Sequence, residues 1–95
     1  MIVFRQRFKN KALKFDQYLH KEFGETVANR FLERVNVITQ LLVKLPELRR
    51  KTKIEGIRSK LIPPYTRIYY TFKKGRLEVL NMYDMRQSPK KNMYE

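Results

Sequence analysis

A chain of 95 residues has room for one compact domain; 42% of its residues are hydrophobic and 13% aromatic, enough to fill a core, and its few glycines and prolines argue against a disordered or low-complexity chain. The 22 Lys and Arg against 9 Asp and Glu leave a formal net charge of +13, concentrated after Leu48, where 13 basic residues stand against 4 acidic ones; a field of that sign attracts nucleic acid, the ribosome or an acidic protein. The absence of cysteine removes disulfide frameworks, thiol catalysis and most structural zinc sites, and it suits a reducing cytoplasm.

Ile2, Val3 and Phe4 read as a short strand whose pairing partner lies later in the chain. This apolar run is too short for the core of a signal peptide, and no stretch approaches the roughly 20 apolar residues of a membrane helix, so a cytoplasmic protein is expected. Phe8, Ala12, Phe15, Leu19 and Phe23 recur at helical spacing and predict a first helix that Gly24 stops. Val27, Phe31, Val35, Ile38, Leu42 and Leu45 predict a second helix, ended by Pro46. The connection around Gly24 and Glu25 is short, so the two helices form an antiparallel hairpin whose apolar stripes need a sheet to cover them.

That sheet is expected from Lys53 to Ile62, Thr66 to Phe72 and Leu77 to Tyr83, broken by Pro63-Pro64 and by Lys73-Lys74-Gly75, as a three-stranded antiparallel meander. In the middle strand the period of two puts Ile68, Tyr70 and Phe72 on one face and Arg67, Tyr69 and Thr71 on the other. In the strand before it, Ile57 and Leu61 alternate with Arg58 and Lys60, so each strand is expected to pair an apolar face with a cationic one. Residues 85–95 read as a C-terminal tail. The whole of 1–95 is one α+β domain: a short N-terminal strand, a helical hairpin, then the meander.

No phosphate-binding loop, H-E-x-x-H or G-x-S-x-G motif occurs, and His20, the only histidine, lies opposite the apolar stripe of the first helix as a solvated side chain. A Ser-His-Asp hydrolase, a histidine-rich metal site and any metal or cofactor requirement are therefore not expected. Asp16, Glu22, Glu33, Glu47, Glu55 and Glu78 are scattered among cations, which fits surface ion pairs better than paired acid/base work. The cations Arg58, Lys60, Arg67 and Arg86, with Arg76, Lys90 and Lys91 nearby and tyrosines at 65, 69, 83 and 94, remain. Arginine forks match phosphate oxygens and aromatic rings stack on unpaired bases, so this mixture suits single-stranded RNA. A generally basic, solvated sheet face is the competing reading, and for Lys73, Lys74 and Arg76 in the turn it is the stronger one.

The order of elements, with Pro64-Tyr65-Thr66-Arg67-Ile68-Tyr69-Tyr70 in the middle strand and Tyr83-Asp84-Met85-Arg86-Gln87-Ser88-Pro89 after the last, resembles the RelE/ParE superfamily of bacterial type II toxin–antitoxin systems over nearly the whole chain. That resemblance implies a microbial-RNase-like sheet, a cognate antitoxin encoded by a neighbouring gene, and one of two activities. RelE-like members cut messenger RNA in the ribosomal A site, whereas ParE-like members inhibit DNA gyrase without cleaving anything. On the first alternative Arg58 and Lys60, Arg67 and Arg86 match the cations that surround the scissile phosphate. The tail tyrosine of RelE-like members falls on Asn92 here, with Tyr94 two residues further on.

The chemistry expected from that match is attack of a ribose 2′-hydroxyl on the adjacent phosphate, without a metal or cofactor. Lys60 is the candidate for proton transfer, because positive charge on Arg58 and Arg67 would disfavour its protonated form. Arg67 and Arg86 would hold the phosphate, and Tyr65, Tyr94, Lys90 and Lys91 would bind or stack on RNA. An RNA-binding module without cleavage and a degenerate toxin kept as an antitoxin-binding relic are the further alternatives.

Overall fold

A computed structural model of the chain describes residues 1–45, 50–87 and 89–95, with the backbone alone at Pro89. Its elements run β1 (Ile2–Phe4), α1 (Gln6–Phe23), α2 (Glu25–Lys44), β2 (Arg50–Lys51), β3 (Arg58–Ile62), β4 (Thr66–Lys73), β5 (Arg76–Asp84) and a 3₁₀ turn at Pro89–Lys91. Gly24 joins the helices at φ 90°, a conformation that a side chain would strain, and it serves as C-cap of α1 and N-cap of α2 at once. Its amide donates to the His20 carbonyl, while its own carbonyl accepts from Ala28. One glycine thus folds two long helices into the expected hairpin. Pro46 lies outside the described residues, as does Ser88; α2 ends at Lys44.

The helices cover one face of a five-stranded sheet ordered β1-β5-β4-β3-β2. The predicted meander is its centre, and both margins go beyond it. β1 pairs parallel with β5, Ile2 opposite Leu77 and Phe4 opposite Val79, so the first strand closes the fold from the far end of the sequence. At the other margin β2 pairs antiparallel with β3 through Arg50–Ser59 and Lys51–Arg58. The strand expected from Lys53 begins only at Arg58, because Thr52, Ile54 and Ile57 bond among themselves and the Lys53 amide is taken by the tail. Thr52 Oγ1 accepts from the Ile54 amide, the Thr52 amide donates to the Ile57 carbonyl, and Gly56 turns at φ 84°.

β4 and β5 form a hairpin in which Lys73 faces Arg76 across Lys74-Gly75, both at positive φ, the geometry of a two-residue turn matched to strand twist. Opposite Tyr69 and Tyr70 stand Asn81 and Val79, so Leu80 is an extra residue that bulges β5. The bulge keeps Leu77, Val79 and Met82 all within the core, where Phe8, Leu19, Phe31, Val35, Leu42, Ile62, Ile68 and Tyr70 meet them.

Register corrects the expected distribution of charge. Arg58 stands opposite Tyr70, Lys60 opposite Ile68 and Ile62 opposite Thr66, so Arg58 and Lys60 share the face that carries the core. Leu61 stands opposite Arg67, and Ser59 opposite Tyr69, on the face without helices. The cations of β3 and of β4 therefore leave the sheet on opposite sides. The three-residue turn Pro63–Tyr65, which closes on the Ile62–Thr66 pair, sets that parity.

Candidate functional site

The helix-free face of the sheet is built around Tyr69. A tyrosine here would be exposed if nothing covered it, yet Tyr69 is 0% exposed. The segment after the 3₁₀ turn returns across the face and lays the Tyr94 ring on it, with centroids 4.4 Å apart and planes 14° from parallel; Tyr83 meets both rings edge-on. The Lys53 amide donates to the Tyr94 carbonyl and pins the returning segment to the loop before β3.

The Tyr69 hydroxyl is held between two tail side chains. Asn92 Nδ2 donates to its oxygen at 2.9 Å, so the hydroxyl proton is directed to Glu95 Oε2, 3.0 Å away. Burial pushes the Tyr69 phenol up to about 12, with the Glu95 carboxylate adding to the shift and Asn92 opposing it. The other Glu95 oxygen pairs with the guanidinium of Arg50 on β2.

Beside this pair lies Arg67. Its Nη1 donates to Ser59 Oγ at 2.8 Å, while its Nε is buried and has no partner among the described residues. Burial lowers its affinity for the proton, neighbouring Arg50 lowers it further, and Tyr69 and Glu95 act in the opposite direction. Arg50, Arg67, Tyr69 and Glu95 thus form one electrostatic unit from β2, β4 and the tail.

Arg86 belongs to a second cluster. It follows β5 in a turn where Asp84 grips it through Nε and Nη2, the latter at 2.6 Å, and accepts its backbone amide at 2.9 Å. The bond to Arg86 holds the Asp84 carboxyl below the usual carboxylate range and holds the guanidinium more firmly protonated. Its flat face lies 3.8 Å from the Tyr65 ring centroid.

The predicted residues are therefore divided. Arg67 stands on the helix-free face, Arg86 lies over Tyr65, which also lines a groove beside the helical hairpin, and Arg58 and Lys60 lie on the face of Ile68 and Tyr70. Lys60 is consequently not flanked by Arg67 on its own face of the sheet. Tyr94 is 5% exposed, so a base could stack on it only after the tail lifts. Lys90 and Lys91 are exposed on the 3₁₀ turn. His20 is exposed and sits 3.6 Å from Asp16. Among the described residues no three His, Cys, Asp or Glu side chains are grouped as metal ligands, and no helix is long and apolar enough to cross a membrane.

No family model matches the chain, nor does any curated protein. Among solved structures it is similar to the chromosomal ParDE toxin–antitoxin system of P. aeruginosa, with a TM-score of 0.73 at 10% identity over 87% of this chain and 92% of that one. It is also similar to the YoeB/ParE toxin of Agrobacterium tumefaciens, at a TM-score of 0.62 and 18% identity over 87% and 95% of the two chains. The E. coli DinJ-YafQ complex contributes a third likeness, at 0.60 and 15% over 90% and 93%. The chain has the RelE/ParE-like toxin fold.

Within the RelE/ParE-like fold, sequence reasoning missed Arg50, Tyr69 and Glu95 as parts of one unit. Arg50 and Glu95 are 45 residues apart and meet only because β2 and the tail both border Tyr69. A buried tyrosine on the supposedly open face was the one available signal, since Tyr69 needs a cover and Tyr94 is the aromatic ring the tail can supply.

A separate groove of about 240 Å³ opens between the helical hairpin and the β3–β4 turn, floored by Phe15, Leu19, Val27 and Phe31 and edged by Arg30 and Arg34. Val37 and Leu41 continue an exposed apolar stripe along α2, and Leu45, just past its end, extends it.

Proposed function

We propose that this protein is the toxin of a type II toxin–antitoxin pair and that it cleaves messenger RNA on the ribosome through its helix-free sheet face. The observation that carries this reading is Arg67: a partly buried guanidinium beside a second arginine and a cluster of tyrosine rings, in a fold shared with three toxin structures. Guanidinium groups in a poorly solvated site stabilise the extra negative charge that a phosphodiester acquires when a ribose 2′-hydroxyl attacks it. The phosphorus–2′-oxygen bond forms as the 2′-hydroxyl gives up its proton, the phosphorus–5′-oxygen bond breaks as the departing oxygen takes one up, and a cyclic phosphate and a free 5′-hydroxyl result. Lys60 reaches a substrate only around the margin of β3, which β2 covers no further than Ser59, so Arg67 rather than Lys60 is the centre of the site. Arg86, stacked on Tyr65, offers a cation and a ring to the neighbouring nucleotide.

The antitoxin is an acidic segment with helical apolar spacing. Its apolar side chains would fill the groove under Arg30 and Arg34, and its carboxylates would meet the +13 surface. A second reading, inhibition of DNA gyrase without cleavage, has one specific support: Asp84 grips Arg86 in an ion pair that phosphate binding would have to share.

Induction of the wild type and of an Arg67→Ala, Arg86→Ala variant, with messenger RNA ends mapped in both, separates the two. New ends in register with the reading frame that vanish in the variant are the expected result. Growth arrest with intact messages in both strains would overturn the nuclease reading and favour gyrase.

A further inference from the structure

Arg50 stands opposite Ser59, whose hydroxyl accepts from Arg67, so the two arginines flank one residue of β3, and the protein supplies an anion of its own at Arg50. The Glu95 carboxylate binds Arg50 through one oxygen and the Tyr69 hydroxyl through the other. Arg67 is close enough to feel both charges, and its Nε is buried with nothing to donate to among the described residues. The planar carboxylate satisfies part of this donor set and leaves that Nε over; a phosphodiester brings the same single charge on two oxygens set tetrahedrally, a geometry that guanidinium groups also bind. Arg50 and the Glu95 side chain are both partly open to water, so their bond is exchangeable and modest rather than a buried permanent pair. With the tail seated, Asn92 directs the Tyr69 hydroxyl to Glu95; with Glu95 withdrawn, that hydroxyl is available to donate to another anion.

We propose that Arg50, Arg67 and the Tyr69 hydroxyl form a phosphodiester-binding site of single-stranded RNA, and that the Glu95 carboxylate occupies this site as an internal competitor. This rests on the assignment of Arg67 to phosphate and adds Arg50 and Tyr69 as ligands and the tail as the regulator. The tail is seated as a unit, because the same segment stacks Tyr94 on Tyr69 and donates from Asn92. Release of Glu95 therefore loosens Tyr94 too, and one event frees both the anion site and a stacking platform. Affinity for RNA is reduced by the fraction of molecules in which the carboxylate is in place.

The test is fluorescence anisotropy of a labelled 2′-O-methyl oligouridine octamer, which resists cleavage, titrated with the full chain at fixed ionic strength. Glu95→Gln keeps an acceptor for the Tyr69 hydroxyl and removes the charge; about tenfold tighter binding than wild type is expected. Adding Arg67→Ala to Glu95→Gln should abolish that gain. Glu33→Gln, the same charge change on the exposed side of α2, should alter binding less than about twofold, the range of a non-specific electrostatic effect at constant salt. Thermal unfolding of each variant confirms a folded state. Equal binding by wild type and Glu95→Gln, an equal gain from Glu33→Gln, or a gain that survives loss of Arg67 would each overturn the proposal. Because the octamer cannot be cut and no ribosome is present, intact messages in cells would end the nuclease reading without touching this one.

Discussion

At the scale of single residues, Tyr69 gathers more of the site than any cation does. Its ring is buried under Tyr94, and its hydroxyl, bonded to Asn92 and Glu95, loses its proton only near pH 12 instead of 10. The unfolded chain releases that proton first as the pH rises. Stability from the buried phenol is therefore whole below pH 10 and disappears as the pH climbs towards 12. Between pH 9 and pH 11.5 the wild type should lose on the order of 2 kcal/mol more than Tyr69→Phe, read from urea unfolding at each pH. Parallel losses in the two proteins would show that other groups govern the alkaline limb. At neutral pH the variant should be the less stable, because Asn92 and Glu95 would each lose a buried partner.

At the scale of elements, the tail after β5 behaves as part of the sheet's cover. Tyr94 closes a face that would otherwise expose Tyr69 and Tyr83, and its backbone is tied to Lys53. Tyr94→Ala should cost about 3 kcal/mol, as large aromatic truncations in a packed setting do, with a lower urea midpoint and an unchanged m-value. A cost under about 0.5 kcal/mol, the level of an ordinary surface change, would mean that the tail is not held in solution. The two helices bury their stripes on the opposite face, so this loss should leave their hydrogen-exchange protection nearest to the global value.

At the scale of the whole molecule, a charge of +13 on 95 residues and an apolar groove at the helical hairpin form a surface that suits an acidic partner with apolar side chains. A partner that binds only the folded state stabilises it by mass action. At a concentration 1,000 times its Kd, the antitoxin proposed above should add roughly 4 kcal/mol and raise the melting temperature by about 15 °C or more. A calorimetric scan with no shift would remove the protein tested as the antitoxin. Arg30→Glu and Arg34→Glu together should weaken the complex and leave the free protein's melting temperature within a few degrees, which locates the contact in the groove.

The chain by itself was enough for much of the architecture, because the signals are local. Apolar spacing determined α1 and α2, Gly24 their hairpin, and alternation the β4 and β5 strands, each through contacts within a few residues. The first strand's later partner was legible as well, since three apolar residues at the start of a chain have to be buried somewhere. The strand from Lys53 was overcalled, because apolar content near Ile54 and Ile57 gives no hint that Thr52 closes a turn of its own. The candidate site was only half legible. Residue types marked Arg67 and Arg86, but which side of the sheet each cation takes depends on cross-strand register, and register follows from how the Pro63–Tyr65 turn closes. That separated Arg58 and Lys60 from Arg67. The union of Arg50, Arg67, Tyr69 and Glu95 was decided by tertiary structure alone, because β2 and the tail come together over a tyrosine that no local pattern could identify as their common neighbour.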